Sequence, residues 1–387
     1  MHSKPKMIIA QPYLNLMGGA ERVILQIAKH YDAKIYTMEY SKDTTFPEFQ
    51  NIDIRMIGEN VAFADKLPYR ASQGLRYGYN FHHMKISEDY DLINSHISPS
   101  EWIRHKNPRV LWYCHTPPRE VYDLYAERMK NRTYAQKLLY ASFASAYKII
   151  SKGIVKELEA VATNSNNTRE RIKKYLGRDA TVINPGIEAK DFTNAGDGNL
   201  FLYPSRIIQT KRQDYVIDAF TRFKKKAKNS RHKLIIAGTL SKDKEHLAYF
   251  ERLKAMKAKD VIFRLNVSDR ELKRLYSTST AVLFAARNED FGIVPLEGMA
   301  SSKPVIAVNE GGIKETVVNG ITGFAISTPE EMAERMRFVV EHPRIAEHMG
   351  KEGRARVEKE YSWESFFMKF DAMARKVAQS GTEQRKK

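Results

Sequence analysis

Two carboxylates stand eight residues apart in one stretch of the sequence, Arg287 to Ala300. Glu289 precedes Gly292 and Glu297 follows it, where an apolar run over 281–286 gives way to helical periodicity. A helix that begins here leaves backbone N–H groups unpaired, and these groups suit an anionic ligand. Because carboxylates repel an anion, Glu289 and Glu297 are better suited to accepting hydrogen bonds from hydroxyl groups. The stretch predicts a ligand that carries both an anionic group and hydroxyl groups.

Cationic side chains that could neutralise such an anion follow an earlier apolar run, 200–205. Arg206 comes directly after this run, and Lys211 lies just before a helical pattern begins. A guanidinium and an ammonium group at a strand-to-helix junction suit a diphosphate. The alternative is a pair of solvated surface cations. A nucleotide-sugar carries the diphosphate, the ribose and the sugar hydroxyls in one molecule.

Glycines at the ends of two other apolar runs would let a ligand approach the backbone closely. Gly18 and Gly19 follow the run 6–10 and open a helical pattern, and Gly238 ends the run 233–239, where a flat ring could approach. The pair at Gly18 lacks the third glycine of the dinucleotide fingerprint, and an ordinary tight turn explains it equally well.

A histidine, His115, ends the apolar run 109–115, and two prolines stiffen the chain after it. The carboxyl ends of parallel strands are where ligand sites form, so His115 is a candidate site residue. Isolated histidines are more often structural. Strand alternation points the neighbouring Cys114 to the opposite face, and no second thiol exists to complete a zinc site, so we expect it in the core.

Short β-rich runs alternate with helical patterns along nearly the whole chain, which predicts an α/β fold with parallel sheets. A polar break at 188–199 separates two such series. We predict two Rossmann-like, doubly wound domains, 1–187 and 188–361, with the ligand in a cleft between them. An amphipathic helix over 362–380 is expected to pack back on the first domain.

The length, charge and cysteine content of the chain limit the classes of protein to which it can belong. The chain has 387 residues, enough for two cores, and a net charge of +18, which favours polyanionic partners or simply a well-solvated surface. No apolar run is long enough to span a bilayer, and no signal-peptide pattern is found, so a cytoplasmic location, free or on a membrane surface, is expected. The single cysteine excludes an internal disulfide.

No metal site is expected. Asp89 and Asp91 have the spacing of cation ligands, but they precede the strand predicted over 91–96 and so lie at its amino end. The other candidates gather at the carboxyl ends of strands. A turn explains this acidic pair better, and no metal or other cofactor is predicted.

Together these segments resemble the retaining glycosyltransferases of family 4, which have the two-domain GT-B fold. The resemblance covers nearly the whole chain in the correct order. Its parts are Gly18-Gly19-Ala20-Glu21-Arg22-Val23, Tyr113-Cys114-His115-Thr116-Pro117, Asn164-Ser165, Val182-Ile183-Asn184-Pro185-Gly186, Ser205-Arg206 to Lys211, and Glu289-Asp290-Phe291-Gly292-Ile293-Val294-Pro295-Leu296-Glu297. The paired-glutamate segment with its internal Phe-Gly is specific, whereas the glycine pairs are not.

The resemblance implies a role for each candidate residue. Arg206 and Lys211 would neutralise the donor diphosphate, assisted by backbone N–H groups near Gly292–Val294 and by Gly19. The residues expected to bind the donor also include Gly18, Gly238, Phe291, Gly292, Ile293 and Val294. Glu297 would hold the ribose and Glu289 the transferred sugar, which His115 would also contact. Such enzymes need no metal, and retention is attributed to front-face attack without a protein nucleophile.

Two departures from the family pattern stand in the second half of the chain. Arg264-Leu265 occupies a loop that usually carries glycine, which leaves recognition of the base open, and Gly298 replaces a commoner alanine. The motif Cys114-His115-Thr116-Pro117-Pro118-Arg119 is most similar to mannosyltransferases of polysaccharide or lipid-linked glycan assembly. GDP-mannose is therefore the favoured donor, and uridine-diphosphate sugars stay open.

Basic residues interleave with aromatic residues in two segments, 66–85 and 119–156. This pattern would suit a glycan or polyprenyl-diphosphate acceptor at an anionic membrane. The alternative, which we weigh equally, is that the tyrosines are core residues and the cations are solvated.

Two other functions fit parts of the sequence. A sugar-nucleotide epimerase or hydrolase could use the same fold, but it should place more acid–base residues near the sugar than His115 alone. A nucleic-acid-binding protein would fit the charge, yet no recognition module appears and the cations are scattered. No nucleic-acid partner is therefore expected.

Overall fold

The computed structural model describes residues 4–58, 69–130, 132–256 and 258–384. The chain divides into two compact units. Unit 1 comprises Met1–Asn184 and Phe366–Lys387, and unit 2 comprises Pro185–Ser365. The domain boundary predicted between 187 and 188 therefore lies three residues beyond the division of the structure.

Unit 1 is built around a seven-stranded sheet in which all neighbouring strands are parallel. Its elements are β1 (Met7–Leu14), α1 (Gly19–Tyr31), β2 (Lys34–Tyr40), β3 (Ile54–Met56), α2 (Tyr69–His83), β4 (Leu92–Ser95), β5 (Val110–Cys114), α3 (Tyr125–Lys130), α4 (Tyr134–Glu157), β6 (Ala160–Thr163), α5 (Asn166–Leu176) and β7 (Thr181–Val182). The strand order is β3-β2-β1-β4-β5-β6-β7.

Unit 2 contains a six-stranded parallel sheet of order β10-β9-β8-β11-β12-β13. Its elements are β8 (Leu200–Pro204), α6 (Gln213–Lys226), β9 (Lys233–Gly238), α7 (Lys244–Met256), β10 (Val261–Leu265), α8 (Asp269–Thr278), β11 (Ala281–Phe284), α9 (Ile293–Ala300), β12 (Val305–Val308), α10 (Ile313–Thr316), β13 (Gly323–Ile326), α11 (Pro329–Glu341) and α12 (Pro343–Glu360).

The last helix, α13 (Trp363–Gln384), belongs to unit 1 from Phe366 onward. Phe366 and Phe370 are buried, and their rings lie 5.8 and 6.4 Å from that of Tyr113, centroid to centroid. Asp371 accepts a hydrogen bond of 2.6 Å from the Tyr31 hydroxyl, and His30 stacks on the ring of Phe367. The helix is thus held by apolar burial and by one carboxylate.

The predicted α/β fold is confirmed, and the ranges 91–96, 109–115, 200–205, 233–239 and 281–286 each match a strand to within a few residues. The sequence supports this fold because parallel strands buried on both faces are nearly continuous apolar runs, as β5 is over all five residues. The sequence over 120–159 predicts one helical connection, whereas the structure has two helices there, α3 and α4. A capping box formed by Thr133 and Gln136 starts α4, so the helix does not continue from α3.

Each sheet has a point where the strand order reverses, between β1 and β4 in unit 1 and between β8 and β11 in unit 2. The loops that leave the two flanking strands diverge to opposite faces, so a crevice opens at their carboxyl ends. All the strand-end candidates named above follow strands of these sheets.

Candidate active site

The loops after β8 and β11 meet at the reversal point of unit 2. The ammonium Nζ of Lys211 lies 2.6 Å from Oε2 of Glu289, and both side chains are mostly buried. Lys211 also lies 5.9 Å from the centroid of the Phe284 ring at the end of β11. Two residues that were predicted to contact different parts of a ligand are therefore a direct ion pair.

Further bonds fix these two loops to each other. The Arg287 amide donates to the Thr210 carbonyl (2.9 Å), and the Arg212 guanidinium makes a bidentate pair with Glu310 at 3.0 Å. The Glu310 carboxylate also accepts from the Asn288 amide at 3.4 Å. Arg212 therefore binds the loop after β12, whose Glu310 in turn holds the loop after β11, and its charge is already paired.

Arg206 is exposed, and its side chain makes no ion pair or hydrogen bond within the described ranges. Its backbone is fixed by Gln213, which is fully buried and donates to the Arg206 carbonyl at 2.7 Å and to Ser205 Oγ at 2.8 Å. The loop after β8 thus presents a guanidinium on a rigid backbone, a few residues from the ion pair.

Glu297 lies inside α9 and is buried. The hydroxyl of Tyr276, at the end of α8, donates to its Oε2 at 2.7 Å. The sequence does not predict this role for Tyr276, because a single tyrosine in an amphipathic helix is usually a core residue. One oxygen of the predicted ribose-binding carboxylate is therefore oriented by a neighbouring helix.

Glycines shape the start of α9. Gly292 has φ +92° and caps the helix, and a Cβ there would lie 2.4 Å from Ile313. Gly311 and Gly312 pack against the backbone of Glu289 and Asp290, where a Cβ would lie at 2.3 and 2.4 Å. These contacts hold the Glu289 loop in place, so the glycines serve the loop itself.

The other predicted donor-binding residues near α9 differ in what they expose. The Phe291 side chain is buried, and its ring lies 5.9 Å from that of Tyr361, centroid to centroid, so this side chain is part of the core. Ile293 and Val294 are half-buried and form the first turn, whose N–H groups have no partner within the helix. These two amides are the anion-binding feature that the sequence predicts.

Close packing within the chain explains two further glycines. A Cβ on Gly238 would lie 1.8 Å from the Ser205 carbonyl oxygen, so the close approach there is made by the chain's own backbone. Gly298 packs on β11 and β12, and a Cβ would lie 2.9 Å from Val282. The departure from the usual alanine thus reflects close packing. Arg264 and Leu265 end the edge strand β10 and are exposed.

In unit 1, Gly18 and Gly19 start α1 after β1. A Cβ on Gly18 would meet the Glu21 carboxylate at 2.5 Å, whereas a Cβ on Gly19 would meet no atom of the described residues within 4 Å. The packing of the chain therefore does not explain the glycine at position 19.

His115 follows β5 and lies beside a second histidine, His96, which follows the adjacent strand β4. His115 Nε2 is 3.0 Å from His96 Nδ1, and His96 Nε2 is 2.8 Å from Asn94 Oδ1. The His115 carbonyl accepts a hydrogen bond from Asn164. Burial lowers the pKa of His115 to about 3, and burial followed by the charge of His115 lowers the pKa of His96. Both rings are neutral at physiological pH.

His96 is a residue that the sequence analysis missed. Its position at the carboxyl end of a strand is the same as that of His115 and could have identified it. The motif around His115 contains one histidine only. The two were not linked because strand adjacency is a property of the sheet.

Of the two acidic residues rejected as metal ligands, Asp89 is exposed and Asp91 has a structural partner. Asp91 accepts a hydrogen bond from the Lys6 amide at 2.7 Å and so fixes the entry into the sheet. Across the parts of the chain that the structure describes, no group of three or more His, Cys, Asp or Glu side chains is placed to hold a metal ion. In the same parts, no helix combines the length and apolarity needed to cross a bilayer.

Two family models match consecutive parts of the chain. The model described as Glycosyltransferase Family 4 matches residues 17–191, and that of Glycosyl transferases group 1 matches residues 186–356. Consecutive parts of the chain are therefore similar to glycosyltransferases, and the predicted resemblance to family 4 is confirmed. The Gly18 and His115 motifs fall in the first match, and Arg206, Lys211 and both glutamates fall in the second.

Curated relatives are similar over most of the chain. Alpha-1,3/1,6-mannosyltransferase ALG2 from Homo sapiens is 26% identical over 94% of this chain and 94% of its own length. The protein of the same name from Dictyostelium discoideum is 27% identical, over 70% of this chain and 71% of its own. The predicted resemblance to mannosyltransferases is therefore confirmed, and so is the prediction that the chain is a glycosyltransferase.

Solved structures show the same fold at lower identity. Sucrose-phosphate synthase from Thermosynechococcus elongatus has a TM-score of 0.75 and 17% identity, covering 97% of this chain and all of the other. HepE from Anabaena, solved with UDP-glucose, has a TM-score of 0.71 and 17% identity, covering 97% of this chain and 99% of its own. The predicted GT-B fold is thus confirmed.

Proposed function

We propose that this glycosyltransferase transfers a hexose, with retention of anomeric configuration, from a nucleoside-diphosphate sugar to a glycan or lipid-linked acceptor. The observation that carries the proposal is the Lys211–Glu289 pair at the reversal point of unit 2, beside the free amides of α9. It combines a cation, a carboxylate and a helix N-terminus within one crevice. A sugar diphosphate needs all three.

The donor would be held by groups of unit 2. Lys211, Arg206 and the amides of Ile293 and Val294 would bind the diphosphate, and Glu289 would accept hydrogen bonds from hydroxyls of the sugar. The ion pair keeps the Lys211 ammonium in position before the donor binds, so little reorganisation is needed as charge develops. Glu297, oriented by Tyr276, would accept from the ribose.

The chemistry we propose is a front-face substitution. The acceptor oxygen bonds to the anomeric carbon while the bond from that carbon to the phosphate oxygen breaks. The acceptor's proton passes to the departing phosphate, and Lys211 and Arg206 stabilise the negative charge that develops there. Glu289 binds the sugar and forms no covalent intermediate, and no metal ion takes part. In unit 1, His115 would contact the transferred sugar, as the family resemblance implies.

Mannose from GDP-mannose is the favoured donor sugar. The support comes from the motif around His115 and from the mannosyltransferase relatives. The UDP-glucose bound to HepE keeps uridine-diphosphate sugars open as the alternative.

The first experiment measures transfer from GDP-mannose to a glycan acceptor by mass spectrometry. Lys211→Ala and Glu289→Ala should each abolish transfer while the circular dichroism spectrum stays unchanged, and Lys225→Ala, an exposed lysine on α6, is the control. A near-normal rate in either site variant at saturating donor would show that the site is wrongly assigned.

Three outcomes test the rest of the proposal. NMR of the product should show a retained anomeric configuration, and transfer should persist in EDTA. An epimerised sugar or free sugar formed without acceptor would favour the epimerase or hydrolase alternative instead.

We further propose that α4 of unit 1 rests on an anionic membrane. Leu138 and Ile149 are 62% and 74% exposed, and their spacing of three helical turns places them on one line of the helix surface. Lys152 and Lys156 are exposed on the same face. Apolar side chains with flanking lysines are typical of helices that lie in the surface of anionic bilayers.

Other residues of the basic and aromatic segment 119–156 have a different role. Tyr147 is buried in the core, Arg132 lies over the Tyr140 ring at 4.2 Å, and Lys148 lies over the Tyr125 ring at 4.9 Å. These cations stabilise unit 1, so the membrane proposal rests on the outer face of α4 alone. In the other basic segment, residues 66–68 lie outside the described residues, and Tyr77 and Phe81 are core residues.

Co-sedimentation tests this surface. The protein should pellet with vesicles of phosphatidylcholine and phosphatidylglycerol, less so with phosphatidylcholine alone, and salt should weaken binding. Ile149→Glu should reduce binding, whereas Ile345→Glu, at an exposed isoleucine of unit 2, should not. Absence of binding at every salt concentration would contradict the proposal.

A further inference from the structure

Behind His115 lies a chain of hydrogen bonds that assigns a hydrogen to one nitrogen at each step. It begins with Asn94, whose side-chain amide donates to the backbone carbonyl of Leu111 at 3.0 Å. Its Oδ1 is therefore the atom that faces His96 Nε2 at 2.8 Å. Because an amide oxygen can only accept, His96 must carry its hydrogen on Nε2.

The second step follows from the neutral state of His96. This residue is fully buried, and its position is fixed by the Trp112 indole, which donates to its carbonyl at 2.6 Å, and by Ser100 Oγ, which accepts from its amide at 3.0 Å. A neutral imidazole with hydrogen on Nε2 has a bare Nδ1 that accepts. The group facing that Nδ1 is Nε2 of His115 at 3.0 Å. His115 must therefore donate from Nε2.

From this geometry we infer that His96, oriented by Asn94, is a positioning residue that fixes His115 in the Nε2–H tautomer, so that His115 Nδ1 accepts a hydrogen bond from a hydroxyl of the bound sugar. The inference about the sugar rests on the proposed function, whereas the tautomer does not depend on it. Within the described residues, His115 Nδ1 makes no hydrogen bond. A ring free to exchange tautomers would present an acceptor for only part of the time.

The tautomer is measured directly by ¹⁵N–¹H correlation NMR of histidine-labelled protein, in which the two ring nitrogens have different shifts when only one is protonated. The His115 signals are assigned by their loss in His115→Gln. The wild-type protein should show the Nε2–H pattern, and His96→Leu should shift it to a mixture. His96→Asn should restore it, because the Asn oxygen can stand where Nδ1 stood. A wild-type Nδ1–H pattern, or an unchanged pattern in His96→Leu, would overturn the inference.

Kinetic measurements distinguish a role of His96 in positioning His115 from a role in the stability of the fold alone. His96→Leu should lower kcat about tenfold or more, which corresponds to loss of one oriented hydrogen bond, and His96→Asn should recover most of it. In a His115→Ala background, His96→Leu should have no further effect, because residues that act through one another are not additive. An equal additional loss in that background would show that His96 acts only through stability. His105→Leu, an exposed histidine of unit 1, serves as the control.

These outcomes distinguish the two proposals. If His115→Ala transfers at the wild-type rate, the sugar-binding role of His115 in the proposed function is wrong, and the NMR pattern still decides whether His96 fixes the tautomer. If His115→Ala is inactive and His96→Leu is fully active, the proposed function stands and the inference about His96 fails.

Discussion

Glu101 is a carboxylic acid in the interior of unit 1, in a short 3-10 segment, Ser100–His105, that follows β4. Ser98 donates to its Oε1 at 3.0 Å, and Oε2 has no hydrogen-bond partner within the described ranges. Burial raises the pKa of Glu101 from 4.5 to about 7. Burying a carboxylate without a cation costs free energy. Glu101 therefore stays protonated in the folded protein up to a pH well above that at which it loses its proton in the unfolded chain.

A pH-dependent stability follows from Glu101. Because its pKa is raised in the folded state, its contribution is fully present below about pH 4.5 and is lost as pH rises to about 7. Glu101→Gln mimics the protonated acid and should raise the free energy of unfolding by about 3 kcal/mol at pH 8, with little change at pH 4.5. The measurement is urea unfolding followed by fluorescence of the buried Trp102 and Trp112.

The control for this prediction is Glu157→Gln, an exposed acid at the end of α4, which should change stability little at either pH. An equal stabilisation by Glu101→Gln at both pH values would mean that the substitution acts through packing rather than through the proton.

Gly19 offers a second test at the level of one residue. Within the part of the chain that the structure describes, an added Cβ would meet no atom within 4 Å, so Gly19→Ala should leave the melting temperature unchanged or slightly raised. If the donor diphosphate approaches this backbone, the same methyl group should raise the KM for the donor about tenfold or more. Gly153→Ala in α4 also places its Cβ in open space and should leave the KM unchanged. An unaltered KM in Gly19→Ala would remove Gly19 from the donor site.

At the scale of elements, α13 is an integral part of unit 1 although it is distant in sequence. Phe370 is fully buried, whereas Met368 on the same helix is 70% exposed. Phe370→Ala should destabilise unit 1 by about 3–5 kcal/mol, because a large side chain is lost and a cavity remains. Met368→Ala should change stability by less than about 0.5 kcal/mol.

Urea unfolding monitored by Trp102 and Trp112 distinguishes these two variants, since both tryptophans lie in unit 1. A similar effect of the two substitutions would show that α13 does not contribute its apolar face to this core.

At the scale of the whole molecule, the proposed donor site assigns nucleotide binding to unit 2. A ligand that binds only the native state stabilises it by mass action, by about 2.7 kcal/mol at one hundred times its Kd. GDP should therefore raise the melting temperature more than UDP or ADP at equal concentration, and Lys211→Ala should abolish the shift. A larger shift with UDP would identify a uridine-diphosphate sugar as the donor and contradict the GDP-mannose proposal.

Much of this architecture could be predicted from local patterns. Apolar runs that alternate with helical periodicity determine the elements, and strand-end positions identify His115, Arg206, Lys211 and Glu289 as candidates. The boundary between α3 and α4 was missed because the capping box at Thr133 interrupts a pattern that is otherwise helical on both sides. Local signals determine elements well because they act over one or two helical turns.

The sequence by itself determined the α/β class, the order of the strands along the chain and the residues that end them. Only the tertiary structure decided which of those ends meet. Lys211 and Glu289 are 78 residues apart and touch because β8 and β11 are neighbours in the sheet. His96 and His115 meet because β4 and β5 are neighbours. Each of these contacts depends on long-range strand pairing, which no local pattern specifies.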